Sequence, residues 1–376
     1  FRWGSIPNST LPYMRSLTPD RLADAEIEVH AIEEYVQIDL DYLDLLRADD
    51  HPTLLALVGV QSHQFHRALD LAALAVDNGC LAVLGGPHPM TCDTSAHQGR
   101  GVSFALSEGE LVWHRILVDA ILQGELEDVY GGDRRWQESL DPPTLIPPSR
   151  RDLARYASRM LGVSPARGCP YRCNFCSIIK IAGHQVRSQP VETTLASLRA
   201  ARSAGVRAIF FTSDNFNKYA EATELLEAMI EERIGLPFFV QCDVQVVKQP
   251  GLIDLLGRAG CFQMFLGVES FDRETLKAAQ KHQNNPRAYR EIVALCREAG
   301  VATTFANILG FPQDTEESIL DHLAALREVG PEMASFYVLT PIPGTEQYDD
   351  FRRRGLITER NLDRFDASAL TWDHPN

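Results

Sequence analysis

The chain has 376 residues, 45% of them hydrophobic and 23% charged, and a formal net charge of -15 at pH 7. That length allows two or three domains with sizeable cores, and the composition is ordinary for a soluble globular protein. The acidic balance disfavours a sequence-independent grip on nucleic acid, which needs clustered Lys and Arg. The longest apolar stretch, 69–86, is interrupted by Asp70, Asp77 and Asn78 and is too short and polar to span a bilayer.

In the first half, two short apolar runs at 53–60 and 80–86 flank a helical pattern at 66–78. Strand, helix, strand in that order predicts a parallel sheet with right-handed crossovers. A third run at 101–106 leads into Ser107-Glu108-Gly109-Glu110, which reads as a strand followed by a helix N-terminus. Ligands of such open sheets sit beyond the carboxyl ends of the strands, where Gly85-Gly86-Pro87-His88-Pro89 and Glu108-Gly109-Glu110 would lie. Gly85 and Gly86 have two readings that place the same demand on sequence: a sharp turn after a strand, or close approach of a cofactor. His63, His66 and His88 are weak candidates for a metal contact, since a single loop histidine is more often an ordinary polar residue. Residues 141–154 open with four prolines and read as a semi-rigid linker that contains no regular element.

The most informative segment follows it. Arg167-Gly168-Cys169-Pro170-Tyr171-Arg172-Cys173-Asn174-Phe175-Cys176 spaces three cysteines as C-x3-C-x2-C after the apolar run Met160-Leu161-Gly162-Val163. Structural zinc wants four closing ligands, usually as two separated pairs, and Cys80, Cys92, Cys242, Cys261 and Cys296 supply no second pair. A disulfide framework is out of character for a chain of this length with eight cysteines. Three thiolates instead suit a four-iron cluster in which one iron stays open to a further ligand.

Beyond the cysteines, apolar runs at 208–211, 238–240, 263–268, 303–309 and 336–339 alternate with amphipathic helical patterns at 191–204, 219–232 and 286–299. With the run before Cys169 they make six strand candidates, and a barrel of such units places its chemistry at the carboxyl ends of the strands. Polar residues gather there: Ser213, Asp214 and Asn215 after the second, Gln241 and Asp243 at the third, Glu269 and Ser270 at the fourth. Each also has a plain structural reading. Asp214 and Asn215 suit a helix cap, Glu269 suits an ion pair, and Thr345 suits a turn. Arg187 is a candidate cation for an anionic group near the site, against its commoner role as a solvated surface charge.

At the cysteine loop and these strand ends the chain resembles the radical SAM superfamily. The resemblance implies a 4Fe-4S cluster on Cys169, Cys173 and Cys176, with S-adenosylmethionine (SAM) bound by its amino and carboxylate groups to the open iron. By the same resemblance Phe175 lies beside the adenine, and Ser213, Asp214 and Asn215 occupy the position of the motif that holds the SAM amino group. That motif usually reads Gly-Gly-Glu, and this chain departs from it. Glu269 occupies a Gly-x-Glu-Ser position, Asn307 and Leu309 belong to the segment along the adenine, and Thr340 opens the closing loop. The first half resembles the cobalamin-binding domain that precedes the barrel in one class of the superfamily. The supporting pieces are Leu11-Pro12-Tyr13, Leu17-Thr18-Pro19, the Gly-Gly-Pro-His-Pro loop and the Glu-Gly-Glu turn. The motif Asp-x-His-x-x-Gly, whose histidine ligates cobalt, is absent. Two outcomes therefore stay open: cobalamin bound without a lower histidine ligand, or a domain that has lost it.

The expected architecture is α/β: a Rossmann-like parallel sheet of cobalamin-binding type in 1–140, a linker in 141–154, a partial (β/α)6 barrel in 155–350, and the start of a C-terminal extension in 351–376. The resemblance implies a transferase that cleaves SAM reductively and modifies a small-molecule substrate, in natural-product or specialised metabolism, by methyl transfer or radical rearrangement. It also implies an electron donor such as flavodoxin or ferredoxin and a cytoplasmic setting. The alternative is cleavage on the methionine side, with 3-amino-3-carboxypropyl transfer to a soft acceptor such as arsenic. Transfer-RNA methylthiotransferases share the cysteine spacing, but they need a second three-cysteine set upstream, where only Cys80 and Cys92 lie.

Overall fold

After helix α1 (Thr10–Leu17), the apolar runs of the first half pair side by side as a parallel sheet of four strands in sequence order. They are β1 (Leu54–Leu57), β2 (Leu81–Gly85), β3 (Val102–Ala105) and β4 (Val129–Tyr130), with α2 (Phe65–Asp77) joining the first two and α3 (Gly109–Val118) following the third. The computed structural model describes residues 7–37, 40–47 and 51–376. Strands covered on both faces carry apolar side chains at every position, because successive residues point to opposite sides. Here Ala82, Leu84 and Phe104 face α2 through Phe65, Ala68 and Ala72, while Val83 and Ala105 face α3 through Val112, Trp113 and Ile116. Each large side chain so buried stabilises the fold by about 1.5–3 kcal/mol. Strand β4 was not foreseen; two residues are too few to show a period, and Tyr130 holds it by donating to Asp119 Oδ2 at 2.8 Å.

The proline-rich segment is less irregular than its composition suggests. Ser149 accepts a hydrogen bond from Asp152 N at 3.2 Å and caps a helical turn at Arg150–Leu153, which corrects the expectation of no regular element. Leu145 and Leu153 are buried in the core of the second half, so the segment is packed rather than free.

The second half contains a parallel sheet of six strands, again in sequence order: β5 (Met160–Val163), β6 (Ala208–Phe211), β7 (Phe238–Cys242), β8 (Cys261–Glu269), β9 (Ala302–Leu309) and β10 (Met333–Val338). Every expected strand coincides with one of these. Helices α4 (Val191–Ala204), α5 (Ala222–Glu231), α6 (Pro250–Ala259), α7 (Tyr289–Glu298) and α8 (Glu316–Val329) follow them. Leu161, Phe211, Phe238, Val240, Leu266 and Phe305 join residues of these helices in one core. The alternating positions Phe210, Phe239 and Gln241 lie on the opposite face, with the Phe210 and Phe239 rings stacked at 4.1 Å. Two helices start later than their patterns predicted. Residues Phe216–Lys218 and Pro286–Ala288 form tight single turns first, the second capped by Asn285. Among the described residues no helix is long and apolar enough to cross a membrane. After helix α9 (Glu346–Arg353), the tail folds back so that buried Trp372 packs on Phe351 and donates Nε1–H to Leu339 O at 3.0 Å.

Candidate active site

The cysteine loop leaves the carboxyl end of β5. Gly168 sits at φ +104, and a Cβ there would lie 2.2 Å from Gln185 O, so only glycine lets the two strands of chain approach this closely. A two-residue antiparallel ribbon, Ala166–Arg167 against Arg187–Ser188, closes the base of the loop. Farther along, Asn174 N donates to Ala279 O at 3.2 Å and Asn174 Nδ2 to Ala278 O at 3.0 Å, tying the loop to the segment beyond β8. All eight cysteines are free thiols. Burial pushes the Cys169 thiol up to about 11 and the Cys176 thiol up to about 12, with the neighbouring cysteines adding to both. Such thiols must give up their protons to solvent when they bind iron as thiolates.

Among the described residues no three His, Cys, Asp or Glu side chains converge on a single point where one ion could sit. A four-iron cube makes no such demand, because each thiolate binds a different iron. The donor set therefore fits a cluster: three soft thiols on one short loop, spaced with no fourth partner.

Several expected residues meet at this loop. The Phe175 ring lies edge-on to Phe311 at 6.2 Å, in an apolar group with Ile308 and Leu339. Asp214 Oδ2 accepts from Gly168 N at 2.8 Å, and burial raises its carboxyl above the usual range. Asn215 Nδ2 donates to Cys169 Sγ at 3.1 Å. Asp243 caps Gln245 N at 2.7 Å and lies 3.5 Å from Lys218 Nζ, and its Oδ2 is buried with no hydrogen-bond partner among the described residues. Glu269, the last residue of β8, has φ +60 and pairs with Lys281 Nζ at 2.6 Å. A Cβ on Gly267 would stand 2.7 Å from Glu269 Oε1 and 3.0 Å from Lys281 Nζ, so this glycine makes the room for the pair. Gln241 is half-buried on the face of β7 opposite the helices.

Other expected residues are engaged by the chain itself. Asn307 lies on the helix side of β9 with Thr303 and Phe305, as strand alternation requires, and its amide is engaged by His322 Nε2 at 2.9 Å and by Phe305 O and Ser335 O. Ser213 accepts from Ala166 N, Ser270 accepts from Asp272 N, and the Thr340 hydroxyl donates to Val338 O at 3.2 Å and Ala369 O at 3.3 Å, so these three hydroxyls hold the chain's own turns. Leu309 contributes its carbonyl to Leu339 N. Arg187 meets no open anionic subsite. It is buried and bidentate to Glu108, at 2.9 Å to Oε2 and 2.8 Å to Oε1. Thr345 caps α9 through Tyr348 N, the plain reading.

Sequence reasoning missed Lys281, Arg167 and Tyr13 as parts of the site. Lys281 follows a helix in a polar stretch and carries no local pattern; only the fold brings it to Glu269. Arg167 Nη1 reaches Glu110 Oε1 at 2.8 Å and Glu108 Oε1 at 3.3 Å, and its guanidinium lies 4.8 Å from the Tyr13 ring centroid, while Tyr13 donates to Glu110. Tyr13, Glu108, Glu110 and Arg167 wall a cavity of about 400 Å³ between the carboxyl ends of the two sheets, with Gly59, Met90, Trp113 and Asp214 also contributing. Its mainly apolar lining lies beyond the carboxyl ends of the strands, where open parallel sheets take their ligands. The histidines stand apart from that wall. His88 bonds Ser62 Oγ at 3.0 Å and packs against Phe65 with ring centroids 4.1 Å apart at a tilt of 33°, and His66 bonds Asp363. Gly86 serves the sharp turn, since at φ +137 a Cβ there would lie 2.2 Å from Val60 N, and it also lines the cavity.

Residues 163–326 match the model of the Radical SAM superfamily. Bacteriochlorophyllide d C-12(1)-methyltransferase of Chlorobaculum tepidum is 26% identical over 343 residues, 88% of this chain and 73% of that protein. Hopanoid C-2 methylase of Rhodopseudomonas palustris is 28% identical over 233 residues, 58% of this chain and 44% of that protein. Among solved structures, the radical S-adenosylmethionine methyltransferase TsrM from Kitasatospora setae, with cobalamin and a [4Fe-4S] cluster bound, superposes with a TM-score of 0.75 at 18% identity, covering 94% of this chain and 76% of that one. The cobalamin-dependent enzyme OxsB, with aqua-cobalamin and S-adenosylmethionine bound, gives 0.74 at 16% identity, over 100% of this chain and 63% of that one. A three-cysteine loop at the head of a six-stranded parallel sheet, the family model over residues 163–326 and these relatives agree in likening the second half of the chain to radical SAM proteins.

Proposed function

We propose that the chain is a cobalamin-dependent radical SAM methyltransferase of small molecules. In this reading Cys169, Cys173 and Cys176 hold the cluster, the four-stranded unit (1–140) is a Rossmann-like cobalamin domain, and the six-stranded unit (155–350) is a partial (β/α)6 barrel. Residues 141–154 link the two, and 351–376 begin a C-terminal extension. The observation that carries the proposal is the cavity of about 400 Å³ walled by both sheets, in which Arg167 and Asp214, beside the cysteine loop, face residues of the first sheet. When bound, the cluster supplies the electron that splits a carbon-sulfur bond of SAM, and cobalamin supplies a methyl carrier.

The chain's own residues bind and orient. Phe175, Ile308 and Phe311 offer an apolar seat for adenine, and Asp214 and Asp243 offer acceptors for an ammonium or a ribose hydroxyl. Burial of Cys173 keeps water from its thiol. The relatives support methyl transfer over aminocarboxypropyl transfer, since the two curated relatives and TsrM are methyltransferases or methylases by name. A low-potential electron donor of flavodoxin or ferredoxin type completes the scheme.

The test is product analysis of the anaerobically reconstituted chain with SAM, reductant and a small planar or lipid-like acceptor, with and without cobalamin. Methyl transfer yields S-adenosylhomocysteine only when cobalamin is present. 5'-Methylthioadenosine as the dominant cluster-dependent product would overturn the reading.

A further inference from the structure

Two of the three cluster cysteines receive a hydrogen bond from an amide side chain outside the loop. Asn215 Nδ2 lies 3.1 Å from Cys169 Sγ, and Gln283 Nε2 lies 3.7 Å from Cys173 Sγ. Both donors sit on braced backbone. Asn215 follows Asp214, whose carboxylate accepts from Gly168 N immediately before Cys169. Gln283 is braced through its carbonyl by the Gln245 amide, and its neighbour Asn284 donates to Gly267 O at 3.0 Å and Val268 O at 2.8 Å. Beside them, buried Lys281 bonds Glu269 and stands with its Nζ 5.8 Å from the Phe175 ring centroid. Its ammonium is the cation that acts electrostatically on Cys169 and Cys176.

We infer that Asn215, Gln283 and Lys281 are positioning residues that set the reduction potential of the cluster, which makes the Asn215 amide a partner of Cys169 and not of the SAM amino group. The inference rests on the cysteine loop holding a 4Fe-4S cluster. Reduction adds one electron from an external donor to a unit already carrying three thiolates. An N–H aimed at a ligand sulfur, and a buried ammonium nearby, stabilise that added charge and move the potential upward. Glu269 opposes Lys281 and keeps the local charge near zero, so the two members of the ion pair act on the potential with opposite sign.

The test is a redox titration of the reconstituted full chain with dithionite and mediators, followed by electron paramagnetic resonance, together with iron and sulfide content. N215L, Q283L and K281M are expected to titrate at lower potential than the parent at unchanged iron content. N215L/Q283L is expected lower than either single variant, K281R close to the parent, and E269Q higher. Equal potentials across the series, with SAM affinity lost in N215L instead, would overturn the inference. So would loss of iron from every variant, which would make these side chains supports of the loop alone. A parent chain that takes up no cluster sinks the cluster reading itself, a result separate from either of these.

Discussion

Arg187 and Glu108 form the most deeply buried ion pair that joins the two sheet units, with side chains 2% and 7% exposed. Replacing Arg187 by Met removes four hydrogen bonds: two to Glu108 and one each to Gln137 O and Ala182 O, both at 2.9 Å. Glu108 would keep only Gln137 N at 2.8 Å and the more distant Arg167, and its carboxylate would be left inside the protein with most of its compensation gone. Breaking one side of a buried pair costs about 3–5 kcal/mol. Arg187 Nε has no acceptor, a burden that disappears with the arginine and puts R187M near the lower end, about 3 kcal/mol. With an unfolding entropy of about 2.1 cal/mol/K per residue, a chain this long unfolding as one unit would lose about 4 °C in Tm. Thermal unfolding by circular dichroism checks it. The double variant R187M/E108M should regain most of the loss, because two apolar side chains leave no stranded charge. Single losses below about 1 kcal/mol that add up in the double variant would refute the reasoning.

Two further outcomes are expected. G86A should be strongly destabilising, by about 1–3 kcal/mol or more, because φ +137 and a contact of 2.2 Å with Val60 N leave no place for a methyl group; an unchanged Tm would contradict the geometry. His88, buried against Phe65, is held at about 4 by loss of hydration and by the nearby His66 and His97. Between its ordinary value near 6.5 and 4 the unfolded chain takes up a proton that the folded one refuses, so stability falls as pH drops through that window. Relative to H88Q, the parent should lose about 1.4 kcal/mol between pH 7.5 and 5.5, measured by urea denaturation at each pH, and a parallel response of the two proteins would show that His88 does not titrate as buried.

Much of the fold was legible because its strands are short apolar runs set apart by amphipathic helices, a pattern that survives in one dimension. All six strands of the second sheet fell on expected runs, whereas β4, with two residues, offered no run to read. The site was legible only where local spacing carries the chemistry. C-x3-C-x2-C announces itself, and Asp214, Asn215 and Glu269 stand out by following a strand. Which face Asn307 takes was not legible, because a place in a strand does not say which way a side chain points, and β9 turns its amide toward His322.

By itself the sequence determined the three-cysteine spacing and the order of strands and helices, because each depends on neighbours along the chain. The pairing of Arg187 with Glu108 across 79 residues, of Lys281 with Glu269, and of Asn215 with Cys169 across 46 residues was decided only in three dimensions. A buried charge or amide must find whichever partner the packed elements bring within about 3 Å, and no one-dimensional pattern records that choice.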